Sequence, residues 1–433
     1  MAFVTAALCM PVTASAAPAG FHVSGGKLYE SNGNEFVMRG VNHAHTWYQQ
    51  QTGSFADIKA LGANTVRVVL ASGQRWTKND TADVANVVSL CKQNKLICVL
   101  EVHDTTGYGE QSGAATLAQA VDYWLSVKSA LAGQEKYVIV NIGNEPYGNQ
   151  GYQTWASDTS TAIQRLRAGG FTHTIMVDAP NWGQDWTFTM RDNAAQVFES
   201  DPDRNTVFSI HMYGVFDTAA EINDYLTRFR TAGLPIVVGE FGHDHSDGNP
   251  DEDTILATTR SMGIGYLGWS WSGNGGGVEY LDMVTNFDPA QLTTWGQRLF
   301  NGTDGIKATS REATVYGGGT PDPDPEPGAC TASYHVVGQW QDGFQGEVTV
   351  TNRQATTIDG WQVRWTFPSG QRVTNMWHAT PTQTGADVVA ANASYNPRIP
   401  AGGSVTIGFT ASWSGTNTDP TTFALNTTTC TAA

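Results

Sequence analysis

Glu145 and Glu240 stand at the ends of two runs of apolar, mostly β-branched residues. The first run is Tyr137-Val-Ile-Val-Asn-Ile-Gly-Asn-Glu-Pro146 and the second is Leu234-Pro-Ile-Val-Val-Gly-Glu-Phe-Gly242. Such runs read as buried strands, and Pro146, which cannot donate to a ladder, stops the first just past its carboxylate. Two carboxylates carried on the tips of parallel strands have the chemistry to split a glycosidic bond: one protonates the departing oxygen and the other faces the anomeric carbon. The acid then needs a pKa raised towards neutrality by burial or by a neighbouring carboxylate. Its partner must stay ionised, which an adjacent arginine favours.

Further polar and aromatic residues fall at the ends of apolar runs, where a packed core has no use for them: Arg67, His103, Asn144, His211, Tyr213, Trp269 and Trp271. A single histidine in such a place is more often a structural hydrogen-bonder than a catalytic group. Many such residues at one ring of strand ends make the pattern of a site. By chemical need, Arg67 and Tyr213 belong beside Glu240. Asn144 belongs on a sugar 2-hydroxyl, a contact that strengthens in the transition state, and Trp269 under a sugar face.

The elements that must hold these residues can be read from the same pattern. Apolar runs predict strands over Phe36–Val41, Asn64–Leu70, Leu96–Val102, Tyr137–Ile142, Thr174–Asp178, Thr206–Met212, Leu234–Gly239 and Ile264–Trp271. They recur roughly every thirty residues, the length of a βα unit. Between them, Thr81–Asn94 sets Val84, Val87, Val88 and Cys91 on one helical face, and Thr116–Ala132 does the same with Leu117, Ala120, Val121, Trp124 and Leu125. Eight strands with intervening helices predict an α/β fold, the (β/α)8 TIM barrel, with its chemistry at the C-terminal strand ends. Phe21–Glu35, with Gly25-Gly26 and Asn32-Gly33, predicts a hairpin over the barrel's bottom.

The length predicts more than one domain. Residues 1–17 resemble a secretory signal, with an apolar run and the small-residue site Ala14-Ser-Ala16. The barrel domain spans 18–316. Residues 317–328, Gly-Gly-Gly-Thr-Pro-Asp-Pro-Asp-Pro-Glu-Pro-Gly, predict an extended, solvated linker. Residues 329–433 change character: short alternating strands rich in Thr, Val, Asn and Gly predict an all-β sandwich. Its Trp340, Trp377 and Tyr395 lie in polar, turn-rich surroundings and predict a stacking surface for sugar rings, whereas Trp361 and Trp365 alternate as core residues. The net charge of −16 argues against a nucleic acid or an anionic membrane as partner.

Cysteine usage fits export. Cys9 leaves with the leader, and pairs Cys91–Cys98 and Cys330–Cys430 are expected as disulfides, the alternative for the first pair being two buried thiols. His243-Asp-His-Ser-Asp-Gly-Asn-Pro-Asp-Glu-Asp253 crowds carboxylates after the second glutamate. Asp251, Glu252 and Asp253 are read as candidate ligands for a structural Ca²⁺ rather than zinc. The competing reading is an acidic helix start near Asp253.

Asn144-Glu145-Pro146, Gly239-Glu240-Phe241-Gly242, Arg67, His103, His211-Met-Tyr213 and Trp269 together resemble glycoside hydrolase family five over about Phe21 to Tyr316. The resemblance implies that the two glutamates lie on strands four and seven, the first as acid/base and the second as nucleophile, with retention of anomeric configuration and no cofactor for catalysis. His45-Thr-Trp-Tyr48, Gly62-Ala-Asn-Thr-Val-Arg67 and Gly268-Trp-Ser-Trp-Ser-Gly-Asn274 resemble bacterial endo-β-1,4-mannanases of that family more than its cellulases. Residues 329–433 resemble the family-two carbohydrate-binding modules through Cys330, Gln339-Trp340, Gly343-Phe344, Asp359-Gly360-Trp361, Trp377, Asn396, Gly408-Phe409, Thr416-Asn417, Pro420, Asn426 and Cys430. That resemblance implies three exposed aromatics on crystalline cellulose, the third, usually Trp, being Tyr395 here; chitin is the alternative ligand. The expectation is a secreted, monomeric β-mannanase anchored to cellulose. Its rivals are an endo-β-1,4-glucanase on the same barrel and a non-catalytic carbohydrate-binding protein, against which the presence of both glutamates argues.

Overall fold

A computed structural model describes residues 20–317 and 330–432, except 355 and 427. The expected leader and nearly all of the expected linker lie outside the described residues. The chain forms two compact units.

The first unit is a closed barrel of eight parallel strands in sequential order. They are β1 (Arg39–His43), β2 (Thr65–Leu70), β3 (Ile97–Val102), β4 (Val138–Asn141), β5 (Ile175–Asp178), β6 (Thr206–Met212), β7 (Ile236–Phe241) and β8 (Gly265–Gly268). The strands are buried along nearly their whole length because helices cover the outside and side chains fill the inside, which is why they read as unbroken apolar runs. Successive side chains point to opposite faces. Thus Ile97 and Val99 of β3 join Ile139, Met176, Val207, Val237 and Leu267 in the barrel's interior, while Cys98, Leu100 and Val102 pack in the outer layer with the helices. The hairpin His22–Ser24/Lys27–Tyr29 forms as expected, and Phe21, Leu28 and Phe36 pack into the same interior cluster and plug it from below.

Helices α1 (Ser54–Ala60), α2 (Thr81–Gln93), α3 (Leu117–Leu131), α4 (Trp155–Ala168), α5 (Thr189–Ser200), α6 (Ala219–Thr231), α7 (Glu252–Ser261) and α8 (Thr294–Asn301) form the outer layer. Their starts follow from their caps: Asp80 accepts from Asp83 N at α2, and Thr116 with Gln119 makes a capping box at α3. No helix among the described residues is long and apolar enough to cross a membrane.

Two expectations are corrected here. Cys91 on α2 and Cys98 on β3 are buried free thiols, not a disulfide, with Cys91 Sγ donating to Cys98 Sγ at 2.7 Å; both side chains serve as small apolar filling between helix and strand. Asp251, Glu252 and Asp253 do not converge as calcium ligands. Asp251 caps α7, its Oδ1 accepting from Thr254 N at 3.0 Å and its Oδ2 from Thr254 Oγ1 at 2.7 Å. Glu252 and Asp253 occupy the helix's first turn, where the dipole favours anions, and Asp253 takes a bond from Arg298 Nε at 2.6 Å.

The second unit is the expected β sandwich. The strands of its main sheet are β9 (Cys330–Trp340), β10 (Gly343–Asn352), β11 (Gln362–Thr366), β12 (Arg372–Trp377), β13 (Ala379–Thr384), β14 (Asp387–Asn392), β15 (Ser404–Ser412), β16 (Phe423–Leu425) and β17 (Thr428–Ala432), and Ile358–Asp359 pairs separately with Arg398–Ile399. They hydrogen-bond in the order β12-β15-β10-β9-β17-β16-β11-β14-β13. The run doubles over a core in which Phe344, Ile407 and Phe409 from one half meet Trp361, Trp365 and Phe367 from the other. Cys330 and Cys430 form the expected disulfide.

Candidate active site

The inward side chains continue upward from the interior core and turn polar in the last layer. Counting by twos from the interior residues of each strand gives Asn42, Arg67, Glu101, Asn141, Asp178 and His211, all fully or almost fully buried. Glu240 breaks the count. The β6–β7 register runs Ile210 with Val238 and then His211 with Glu240, so Gly239 is an extra residue on β7. This bulge turns Glu240 into the barrel opposite His211. Only glycine fits the extra position, because a Cβ there would stand 2.1 Å from Ser209 Oγ.

Arg67 is the hub of this layer. Its Nε donates to Asn141 Oδ1 at 2.8 Å, its Nη1 to Asn42 Oδ1 at 2.8 Å and to Glu240 Oε1 at 2.7 Å, and its Nη2 to Asn144 Oδ1 at 2.8 Å and to Asp178 Oδ2 at 3.0 Å. All five guanidinium hydrogens are used. Burial alone would weaken this cation, but Glu101, Asp178 and Glu240 around it hold it charged. In turn, burial raises Asp178 while Arg67 and His211 outweigh it and bring the carboxyl to about 2.

Glu240 meets Arg67 at one oxygen and accepts from Tyr213 OH at 3.0 Å at the other. Burial pushes its carboxyl upward, and His211 and Arg67 pull against that rise. The expectation that Arg67 and Tyr213 flank Glu240 matches this geometry. Glu145 lies past the end of β4 with φ 40°, a left-handed turn that aims its carboxylate across the barrel mouth. Its Oε1 accepts from His211 Nδ1 at 2.8 Å. The His211 Nε2 atom is 3.3 Å from Asp178 Oδ2, close enough for the two opposite charges to act on each other. Burial favours a neutral His211 ring, yet Glu240, Asp178 and Glu145 push it up to about 10. An imidazolium therefore sits between the two glutamates.

Glu145, His211 and Glu240 offer ligand atoms within 4.8 Å of one another, the one such group of His, Cys, Asp and Glu among the described residues. The Glu145 atom facing His211 and both Glu240 oxygens already have protein donors, so their placement is explained by the network itself.

Asn144 is bonded on both sides, to Arg67 and through its Nδ2 to Thr106 Oγ1 at 2.9 Å, which leaves one amide hydrogen for a sugar. His103 donates from Nδ1 to Glu101 Oε1 at 2.8 Å and stacks on Trp269 with ring centroids 5.6 Å apart. Trp269 is fixed by its Nε1 bond to Asn274 Oδ1 at 2.9 Å. Trp271 is not at the site. The strand ends at Gly268, and Trp271 turns into the helix-facing core, fully buried and edge-on to Phe300.

Aromatic residues that sequence reasoning passed over extend the cleft on both sides. Trp47 and Trp76 pack edge to face at 5.1 Å and both touch the His103 ring, which makes one wall with Trp269. Glu145, Trp182, Trp186, Tyr213 and His245 line the other, around a cavity of about 260 Å³. Trp182 rides on the loop after β5, where Asn181, Trp182, Asp185 and Phe188 all have φ between 51° and 59°. Such strain persists only where surroundings over-determine it; here Asp185 accepts from Met190 N, Arg191 N and Tyr225 OH.

In the second unit, Trp340 and Tyr395 are the most exposed large aromatic rings among the described residues, at 50% and 70%, and Trp377 is half-buried. Trp340 and Trp377 lie on the outer face of the β12-β15-β10-β9 half. A Cβ on Gly343 would meet the Trp340 ring at 2.5 Å, and one on Gly408 the Trp377 ring at 2.0 Å. Both indoles therefore lie flat against bare backbone. Asn396, next to Tyr395, donates to His378 O at 2.8 Å and ties the tyrosine's loop to the end of β12.

Residues 29–275 match the family described as Cellulase (glycosyl hydrolase family 5), and residues 330–430 match the family described as Cellulose binding domain. A mannan endo-1,4-beta-mannosidase of Streptomyces lividans is 67% identical over 307 residues, 71% of this chain and 80% of the relative. One from Cellvibrio japonicus is 50% identical over 357 residues, 82% of this chain and 80% of the relative. Among solved structures, the mannotriose complex of Thermomonospora fusca beta-mannanase is 66% identical, with a TM-score of 0.67 over 69% of this chain and 99% of that one.

Proposed function

Because the chain belongs to glycosyl hydrolase family 5, we propose that it is an endo-β-1,4-mannanase that retains anomeric configuration and is held on cellulose by its C-terminal module. The observation that carries the reading of the chemistry is the spacing of Glu145 and Glu240, whose facing carboxylate oxygens lie within 4.8 Å. Retaining enzymes need about 5 Å between the carboxyl groups, whereas inverting ones need about 6.5–9.5 Å to admit a water. Preference for mannan is supported by the relatives above.

In this reading Glu145, protonated, gives its proton to the glycosidic oxygen as the bond to the anomeric carbon breaks. Glu240 attacks that carbon from the opposite face and forms a glycosyl ester. Glu145, now a carboxylate, takes a proton from water, the water oxygen attacks the same carbon, and Glu240 leaves as carboxylate. Arg67 and Tyr213 hydrogen-bond the two Glu240 oxygens and aim them, and Arg67 with His211 works against the upward pull of burial on this carboxyl, so little reorganisation is left for the transition state. The His211 imidazolium offsets the negative charge that passes between the two glutamates. One chain supplies every group named, so a monomer suffices. Insoluble wall polymers as substrates, with the leader-like residues 1–17, favour an exported enzyme.

A panel of mannan, galactomannan, soluble cellulose derivative and xylan, with the first product anomer read by NMR, tests the proposal. Mannan should be cut fastest and yield the β-anomer first; preference for the cellulose derivative would favour the glucanase, and an α-anomer would overturn retention. Glu145→Gln and Glu240→Gln should each lower kcat on mannan by roughly 10²–10⁴-fold or more.

A further inference from the structure

His245 is a cleft residue that the double displacement does not use. It lies on the loop between β7 and α7, and its ring stacks on Tyr213 with centroids 4.4 Å apart and 29° between planes. Its Nδ1 is bonded to Asp247 Oδ1. Asp247 is itself fixed, accepting from Gly214 N at 3.1 Å and from Gln184 Nε2 at 2.8 Å, and Gln184 is held by Val215 N at 3.1 Å. Residues from three strand-end loops thus lock one imidazole, more than is needed to close a turn. With Nδ1 committed, Nε2 is the polar atom the ring has left to offer.

The wall that holds His245 also decides what it faces. Glu145 lines the same cavity, with Trp182 and Trp186. Glu240 is absent from that lining, and the Trp47, Trp76, His103 and Trp269 wall lies elsewhere around the mouth. A general acid stands beside the oxygen that departs, so the cavity sharing Glu145 is the one the departing sugar occupies. We infer that His245, aimed by Asp247, binds that leaving-group sugar through a hydrogen bond between Nε2 and one of its hydroxyls, while the two tryptophans cover its apolar faces. Burial favours the neutral ring, but Asp247, Glu145 and Glu240 raise it. The ligand class is a neutral β-1,4-linked hexose unit, which offers hydroxyl acceptors at its edge and C–H faces above and below.

This inference rests on the function proposed above, and its test separates the two. kcat/KM is measured for His245→Ala, His245→Gln and Asp247→Asn on mannohexaose and on a nitrophenyl β-mannobioside. The nitrophenolate departs without a sugar in the cavity and without needing a proton. Loss of one hydrogen bond to the leaving-group sugar lowers kcat/KM on mannohexaose roughly tenfold for His245→Ala. The aryl substrate should fall less than twofold, and His245→Gln, which keeps a donor, should recover part of the loss. Asp247→Asn should shift the ratio of the two substrates in the same direction. Equal losses on both substrates, or none on either, would show a loop tie and overturn the inference. A variant that folds poorly is judged by the same ratio, which the fraction folded does not change. Wild-type enzyme that fails to cleave mannohexaose would instead sink the proposed function.

Discussion

His211 shows how a buried cation can serve both folding and chemistry. Its ring keeps a proton up to about pH 10 in the folded chain, against about 6.5 for a free histidine. The folded pKa lies above the unfolded one, so the stabilisation is full below about pH 6.5 and is lost as pH rises through about 10. The catalytic unit's unfolding midpoint, followed by calorimetry, should therefore fall between about pH 7 and pH 9.5 in wild type. It should fall less in His211→Asn, which has no proton to lose; equal slopes would contradict the charge assigned to this ring. At the same scale, what the sequence disclosed depended on position. Glu145, Glu240 and Tyr213 were legible because each is polar or reactive at the close of an apolar run, and Arg67 because a lone cation interrupts one. Asp178 carried the same signal, ending Thr174–Asp178, yet its value lies in partners such as Arg67, 111 residues away, and no local pattern names them. Trp271 misled because its aromatic neighbour Trp269 sits in the cleft; the strand stops at Gly268, so period-two counting no longer says which ring faces inward.

The elements were more legible than their ends. Buried parallel strands announce themselves as apolar runs, and all eight expected strands appear. The β6–β7 bulge was not readable, since Gly239 in a strand-like run has the same appearance whether it is paired or extra. The acidic stretch before α7 was ambiguous for a physical reason: a helix N-terminus and a calcium ion both attract carboxylates. Its role as a cap gives a direct expectation. Asp251→Ala should cost about 1 kcal/mol of stability, while a chelator should leave the unfolding midpoint of the wild-type protein unchanged. A midpoint lowered by chelator would restore the calcium reading.

At the scale of the whole chain, the barrel of family 5 and the part that matches the cellulose binding domain are separate compact units. Trp340→Ala and Trp377→Ala should each weaken adsorption to crystalline cellulose roughly tenfold, the loss of one stacking ring, and leave hydrolysis of soluble mannan unchanged. Adsorption isotherms beside a soluble-substrate assay would check both halves of that statement. Replacing Gly343 or Gly408 by a larger residue should weaken adsorption too, because the indole would be lifted off the sheet.

The fully committed guanidinium of Arg67 also bears on how this protein can diverge. Each of its five hydrogens has its own acceptor, so a change at Asn42, Asn141, Asn144, Asp178 or Glu240 would strand part of a buried cation. The tryptophan walls bear no such mutual debt. Descendants of this sequence would therefore explore new polymers by redecorating the rim, while the ring beneath drifts hardly at all.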